Sequence, residues 1–562
     1  MYLPNLCLEK LNFNQYDLSV ENIAQKYDYK RFKCLFKEYD IYIEEKELEG
    51  IYLQTLDDLY YLAIDCLINF DKLLERIDLF EKNFEDLTSE VEKRQLHISR
   101  YVIEDQKKDI VLSKDKIQMF KKELIKLIIE NKNEYSLVEF EDRLFDYLYI
   151  HRYLLSYLAS TTTRLEWQSV SLESSKRVEA FLSRDFDYKG FIGYKRINYP
   201  GLKEFEKWFL NEFVDSDYKD DLKCLMTNSG QGAFILLKEM ICNQLIKNDS
   251  KIMLSKHGYY ETRWLISEIK GHTVVYFNDT ETDNIISEIK KEKPSFVLLE
   301  PIYCDEVIRM IDIYKILEEL DKSFLENDMY IVIDASMLSG VVQPFRMKNN
   351  NNKLHIFLME SSIKYRQYGM DKVNAGFVIG NKKYLRGMIT ARGATGATLH
   401  NIDLETLPRI SRIQHDNRMK IVTRNAKYIS KELQIFADNK KNLLLKGVDY
   451  PGLESHKDFS IFKKYPYLNG IINFNFDNDY YKNFATMLYV IRKTIESAKE
   501  KSISINHGTS FGFDWTRIAV ADSSGGNFAN PFIRISVGRE TMKDIFIITE
   551  IVKKVVSEHL EY

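Results

Sequence analysis

Between residues 53 and 77 the apolar positions advance in steps of three and four: Leu53, Leu56, Tyr60, Ala63, Leu67, Phe70, Leu74 and Ile77. That spacing lays them on one face of an α-helix. Leu59, Leu62 and Ile68 widen the stripe beyond a two-stranded seam, which predicts a helix packed in a bundle. Phe140, Leu144, Tyr147, His151, Leu154 and Leu158 predict a second such face, with His151 a core or rim residue and not a ligand. Punctuation agrees: Gly50 is the only glycine before Gly190, and Pro4 the only proline before Pro200. Residues 1–165 are therefore expected to form an all-α domain.

From about residue 200 to 400 the pattern changes. Lys251–Leu254, Thr273–Phe277, Ser295–Leu299, Tyr330–Asp334 and His355–Met359 are short, apolar and rich in β-branched residues, and helical stretches separate several of them. This predicts a mostly parallel sheet with helices on both faces, an α/β domain over 166–405. A long helix from Arg409 to about Leu433 then leads into a smaller α+β domain over 406–562. The run 348–353 reads as a surface loop.

Composition narrows the class. With 562 residues, 45% of them hydrophobic, the chain can bury two or three cores. The net charge of −4 argues against a protein that coats nucleic acid or an anionic membrane. Residues 1–150 carry 32 acidic and 22 basic side chains, a balance of −10 that leaves about +6 for the rest. An acidic helical arm is a poor reader of DNA. It is expected to serve packing or oligomerisation, or to dock a protein partner. Six cysteines stand far apart, with no C-x-x-C pair and no histidine at zinc-ligand spacing, so neither a metal site nor a disulfide framework is signalled. No basic-then-apolar signal block and no membrane-length apolar run is present, and a soluble cytoplasmic protein is expected.

Candidate chemistry gathers around Ser361-Ser362-Ile363-Lys364, between the apolar runs 355–359 and 375–380. Such a lysine either snorkels to the surface or, partly desolvated, loses its charge and bonds covalently to an aldehyde cofactor. Asn228-Ser229-Gly230-Gln231-Gly232 precedes an apolar helix, Phe234 to Ile246, and suits either a tight turn or an anion held at a helix start. Asp334 closes a strand, where it caps the next turn or pairs with a ring nitrogen. Tyr259 follows another strand and can stack on an aromatic ring. Arg534 lies within an alternating strand, pointing either outward or inward to grip a carboxylate.

Together these pieces resemble the pyridoxal-phosphate (PLP) enzymes of cysteine and methionine metabolism, the trans-sulfuration group with the aspartate-aminotransferase fold (fold type I). The resemblance covers roughly 165–562. The family's Tyr-x-Arg with its downstream proline is similar to Tyr194-Lys195-Arg196 and Pro200, and its phosphate turn to Ser229-Gly230-Gln231-Gly232-Ala233. Tyr259 and Thr262 keep step with its ring-stacking tyrosine segment, Ile333-Asp334-Ala335-Ser336 with its Val-Asp-Asn-Thr, and Ser361-Ser362-Ile363-Lys364 with its Ser-x-Thr-Lys. Ser510-Phe511-Gly512 and Ile533-Arg534-Ile535-Ser536-Val537-Gly538 match its closing blocks.

The resemblance implies that Lys364 carries the cofactor and acts as the base at Cα. Asp334 then keeps the pyridine nitrogen protonated, and Tyr259 stacks on the ring and shuttles a proton. Gly230, Gln231 and Ser361 hold the phosphate, as Tyr194 and Arg196 do for a neighbouring subunit. Arg534 grips the substrate carboxylate and Ser510 completes the substrate site. The implied reaction is elimination or replacement at Cβ or Cγ of an amino acid, in a homodimer or homotetramer. Aminotransferase, decarboxylase or racemase chemistry, or a degenerate binding or regulatory protein, are the alternatives. Several positions depart from the family pattern: Ile363 replaces a phosphate-binding threonine, Tyr260-Glu261 replace two glycines, and Glu300-Pro301-Ile302-Tyr303-Cys304 lacks an asparagine near the cofactor hydroxyl.

Overall fold

The computed structural model describes residues 46–93, 97–130, 137–165, 199–277, 280–347, 349–439, 445–476, 483–522 and 531–557. They fall into two compact units. One is built on the helices that end at Leu165, with residues 405–410 and 541–543, and the other on the remainder.

The first unit contains α1 (Lys46–Lys93), α2 (His97–Glu130) and α3 (Leu137–Leu165), each packed on the other two. Of the predicted stripe, Ala63, Leu67, Phe70 and Ile77 are buried and Leu74 is partly so, Leu59, Leu62 and Ile68 that widen it are buried, and the side chains of Leu53, Leu56 and Tyr60 lie outside the described ones. On α2 the buried positions Ile103, Gln106, Ile110, Ser113, Ile117 and Leu124 repeat at three and four, a narrow seam facing two neighbours. His151 is buried in the core. Lys121 of α2 reaches Asp71 of α1 as a largely buried ion pair.

The second unit opens with α4 (Pro200–Phe213), with Pro200 in its first turn. It holds a seven-stranded sheet of β1 (Leu222–Thr227), β2 (Lys251–Ser255), β3 (Thr273–Phe277), β4 (Phe296–Leu299), β7 (Met329–Asp334), β8 (Leu354–Ser361) and β9 (Gly376–Asn381). The hairpin β5 (Ile302–Cys304) and β6 (Ile308–Met310) stands apart from it. The order is β1-β9-β8-β7-β4-β2-β3. Pairings from β3 through β8 are parallel, and β9 runs antiparallel to both its neighbours. The sheet is therefore mostly parallel, as expected, and the five strands read from the sequence lie where they were predicted to within one or two residues. Their near-continuous apolar character reflects burial on both faces.

Two helix boundaries differ from expectation. The helix after the glycine turn, α5, begins at Gly230 and ends at Met240, where five residues continue with π-type bonding. A short helix, labelled α6, spans Tyr260–Ser267, and the long helix, labelled α7, which comes after four further α-helices, runs Arg412–Asp438, not from Arg409. Ser411 stops it N-terminally by a reciprocal capping box with Gln414. Of the predicted surface loop 348–353, residue 348 lies outside the described residues; among the rest, Asn351 donates to the Ser323 carbonyl at 2.9 Å and Asn349 to that of Leu354 at 2.5 Å.

A second sheet, ordered β10-β11-β14-β13-β12, is made of β10 (Leu445–Asp449), β11 (Ile471–Phe476), β12 (Asn506–His507), β13 (Arg517–Asp522) and β14 (Pro531–Ser536). Among the described residues no helix is long and apolar enough to cross a membrane, and no cluster of His, Cys, Asp or Glu is arranged to hold a metal ion.

Candidate active site

The interesting residues gather beyond the carboxyl ends of the parallel strands, where an open α/β sheet leaves room for a ligand. After β1, Ser229 caps α5. Its hydroxyl accepts from the Gly232 amide at 2.8 Å and its carbonyl from Ala233 at 3.0 Å, so the amides of Gly230 and Gln231 form the helix mouth. This turn lies tight against the end of β8 and the start of β9. A Cβ on Gly230 would come within 2.7 Å of the Ser361 side chain, and one on Gly376 within 2.4 Å of the Ser229 carbonyl oxygen. Glycine is required at both positions by close approach. Two buried polar atoms nearby have no hydrogen-bond partner, Gln231 Oε1 and Ser362 Oγ. A helix N-terminus bordered by serine suits a phosphate dianion.

Lys364 follows β8, where the Ser362 amide closes onto the Ala375 carbonyl at 2.8 Å. Its amine donates to Ser510 Oγ at 3.0 Å and stands 5.1 Å from the centre of the Phe511 ring. The loop carrying both residues is pressed against the lysine backbone: Gly512 has φ of +91°, and a Cβ there would approach the Lys364 carbonyl carbon to 2.6 Å. Burial holds the Lys364 amine below its ordinary value. Asp371 and Glu261 oppose the shift and Arg517 reinforces it. The side chain is partly buried and its amine ends on Ser510, which is not the arrangement of a lysine snorkelling into bulk water.

That loop is anchored by residues the sequence reading did not single out. Arg418, fully buried on α7, donates to Asp514 at 3.0 Å and to the Gly512 carbonyl at 3.0 Å. A second buried pair, Arg366 with Glu360, lies just past Lys364 and on β8, at 2.8 and 3.0 Å. The available signal was an arginine on the apolar face of a predicted helix, and a glutamate at the end of an apolar strand.

Asp334 ends β7, beside β8. Its Oδ1 accepts from the Ser336 amide at 2.9 Å, and the Ser336 hydroxyl accepts from the Ser361 amide at 2.8 Å, so the acid and the lysine segment are laced through one serine. The carboxylate thus does cap the following turn. Burial raises its pKa, against the Ser336 hydrogen bonds. Glu300, one residue past β4, is pushed up to about 8 by burial first and by the Asp334 charge second. Since Leu299 pairs with Ile333, the two acids emerge side by side. Glu300 Oε1 accepts from the Tyr259 amide at 2.8 Å and so fixes the start of α6. Two part-buried acids side by side, both with raised pKa, suit a cationic proton donor, which a protonated pyridine nitrogen would supply. The residues present fit the cofactor at its phosphate, amine and ring-nitrogen ends.

Tyr259 is half exposed, and its ring meets that of Tyr260 edge-on at 5.2 Å. Its hydroxyl is pushed up by burial and then by the Glu261 carboxylate, so it stays protonated. Arg534 sits mid-strand on β14, opposite Asn473 on β11 and Ala519 on β13. Cross-strand partners share a face. Asn473 reaches from that face to the carbonyls of Asp305 and Glu306 at 2.6 and 3.2 Å. Arg534 therefore faces the β5–β6 turn that follows Glu300. Tyr194 and Arg196 lie outside the described residues.

A mostly parallel sheet of this order, with a desolvated lysine and a strand-end acid beyond its carboxyl edge, defines a PLP-dependent enzyme of fold type I. The comparisons name the family within that class. The profile of the Cys/Met metabolism PLP-dependent enzymes matches residues 173–549, and the chain belongs to this family. Pyridoxal phosphate is its cofactor. Cystathionine gamma synthase from Xanthomonas oryzae pv. oryzae, solved in complex with cystathionine, superposes with a TM-score of 0.51 at 17% identity, over 67% of this chain and 92% of that one. Cystathionine gamma-lyase from yeast gives 0.51 at 19%, over 67% and 91%. At those identities the likeness establishes the fold. Bifunctional enzyme flvA of Aspergillus flavus is 24% identical over 348 residues, 62% of this chain and 40% of that protein. The chain thus spans about two fifths of the length of that curated relative. The three-helix unit lies before the family match begins.

Proposed function

We propose that the chain catalyses elimination or replacement at Cβ or Cγ of an amino acid. The observation that carries this reading is the Lys364 amine, partly desolvated and held 3.0 Å from Ser510, on a segment tied through Ser336 to the Asp334 carboxylate. When bound, pyridoxal phosphate supplies an electron sink for negative charge developing next to the substrate nitrogen. Gly230, Gln231 and Ser361 would hold its phosphate, and Asp334 would accept a hydrogen bond from its ring nitrogen. Lys364, with its pKa lowered, is available as the base that removes the Cα proton. Arg534 would bind the α-carboxylate and so orient the substrate at Cα. Tyr259 would stack on the ring and, with its hydroxyl kept protonated, would donate to the departing group.

Tyr194 and Arg196 would complete the phosphate site of a second copy, which makes a homodimer or homotetramer the working assembly. A cytoplasmic site of action accords with this chemistry. The test is direct. Purified protein should show a visible absorption band that borohydride bleaches, leaving added mass on the peptide containing Lys364. Incubation with O-acylated homoserine, cystathionine or methionine should release a keto acid and a leaving group, or a substituted amino acid. Release of carbon dioxide, or a borohydride label on another lysine, would overturn the reading.

A further inference from the structure

The hydrogen bond from Lys364 to Ser510 depends on a loop that lies outside the strand ladders. Residues 508–516 connect β12 to β13, with an isolated bridge from Phe513 to Gly369 among them. Close packing and side chains hold the rest. A Cβ on Gly369, whose φ is +78°, would come within 2.5 Å of the Asp514 carboxylate, so the loop meets the segment after Lys364 without a gap. The Asp514 carbonyl accepts from the Arg539 amide at 2.8 Å, and the Arg539 side chain donates to the Tyr368 hydroxyl at 2.7 Å. Arg418 reaches the same place from α7. Its Nη2 donates to the Gly512 carbonyl and to Asp514 Oδ1, both at 3.0 Å, and its Nε donates to that carboxylate oxygen at 3.3 Å. The guanidinium groups of Arg418 and Arg539 lie 5.9 and 5.3 Å from the centre of the Tyr368 ring.

A buried arginine–aspartate pair contributes little net stability, because taking both charges out of water offsets most of their attraction. Side-chain exposures of 1% and 4% put Arg418 and Asp514 in that class. What a planar fork supplies and an apolar pair does not is direction: it fixes the Gly512 carbonyl, two residues from Ser510. We propose that Arg418 is a positioning residue for Lys364, orienting the loop 512–514 so that Ser510 Oγ stays on the amine and the amine stays at one point of the cleft. The role deepens the proposed reaction and rests on it, since Lys364 is the base there.

The test acetylates full-length, cofactor-free protein with trace acetic anhydride at about pH 7 and compares Lys364 with the exposed Lys322 by mass spectrometry. A serine that accepts from the amine favours its charged, unreactive form, so loosening that contact speeds labelling. In Arg418→Lys, which keeps a cation beside Asp514 without the fork, labelling of Lys364 relative to Lys322 should rise about threefold or more, and Ser510→Ala should raise it at least as far. The double variant should label no faster than Ser510→Ala, because both changes act through one contact; a general loosening of the fold would multiply the two effects. Arg418→Met combined with Asp514→Leu, an apolar pair of similar size, is the companion if the lysine variant does not fold, and the same rise is expected of it. Wild-type labelling in the folded variants, or a double variant showing the product of the two single effects, overturns the positioning role. Failure of wild-type protein to take up pyridoxal phosphate overturns the proposed reaction instead, and the labelling still decides what Arg418 does to the Lys364 amine.

Discussion

The helical unit and the sheet unit treat buried acids in opposite ways. In the helices, Asp71 is buried and its pKa is raised to about 6, yet Lys121 from the next helix meets it directly, so the charge is answered within the bundle. In the sheet unit, Asp334 and Glu300 stand part-buried side by side, desolvation raises the pKa of both, and the Asp334 charge raises that of Glu300 further. Arg366 and Arg418 pair with other acids close by, Glu360 and Asp514. A scaffold pairs its charges, whereas a site keeps acids poised for a ligand that brings the missing cation. The contrast teaches where chemistry lives in this chain better than residue type does, since both units are rich in carboxylates.

The largest expected effect separates the units by function. Lys364→Ala should abolish the borohydride-sensitive band and lower turnover at least about ten-thousandfold, while circular dichroism and thermal unfolding stay close to wild type. If turnover survives, the lysine is not the cofactor's anchor. Next is the helical core. Phe70→Ala empties a fully buried position and should cost that unit about 3–5 kcal/mol in a denaturant titration, with the visible band retained. Loss of the band in step with the helices would show that the contrast between scaffold and site is drawn too sharply.

Asp334→Asn should move activity and stability in opposite directions. Turnover should fall about a hundredfold as the ring nitrogen loses its counter-charge. Cofactor-free protein at pH 9 should melt higher, because Glu300 no longer faces a second anion. A lower melting temperature would place the value of Asp334 in its cap to Ser336.

The smallest effect is a slope. Glu300 has a folded pKa raised from 4.5 to about 8, so between those values the folded chain binds more protons than the unfolded one. Its contribution to stability therefore falls as pH rises through that window. Denaturant titrations of cofactor-free protein from pH 5 to pH 8 should show this decline, flattened by up to about 1.4 kcal/mol per pH unit in Glu300→Gln. Glu540, pushed up to about 7 by burial, acts in the same direction and leaves a residual slope.

Much of the architecture was legible before any coordinates. Steps of three and four located the bundle core, and short apolar runs, that at 375–380 included, located six of the seven sheet strands, because both signals come from the local period of buried positions. The exact start of α7 was not legible from apolar spacing, since a capping box decided it. The reversed β9 was equally hidden: an apolar run does not disclose its direction. In the site, Lys364, Asp334, Tyr259 and the glycine turn announced themselves through their places at strand and helix ends. Arg418, Asp514 and Glu300 did not, because their meaning depends on partners 96, 96 and 41 residues away.

By itself the amino-acid order determined which segments are helices and strands, that the chain changes character near residue 165, and which residue types close each strand. Those are properties of near neighbours, written in periodicity and punctuation. Only the tertiary structure decided that Ser510 meets the Lys364 amine and that Glu300 emerges beside Asp334. The reason is physical: a charge's pKa and chemistry are set by burial and by atoms a few ångströms away in space, and adjacency along the chain does not specify either.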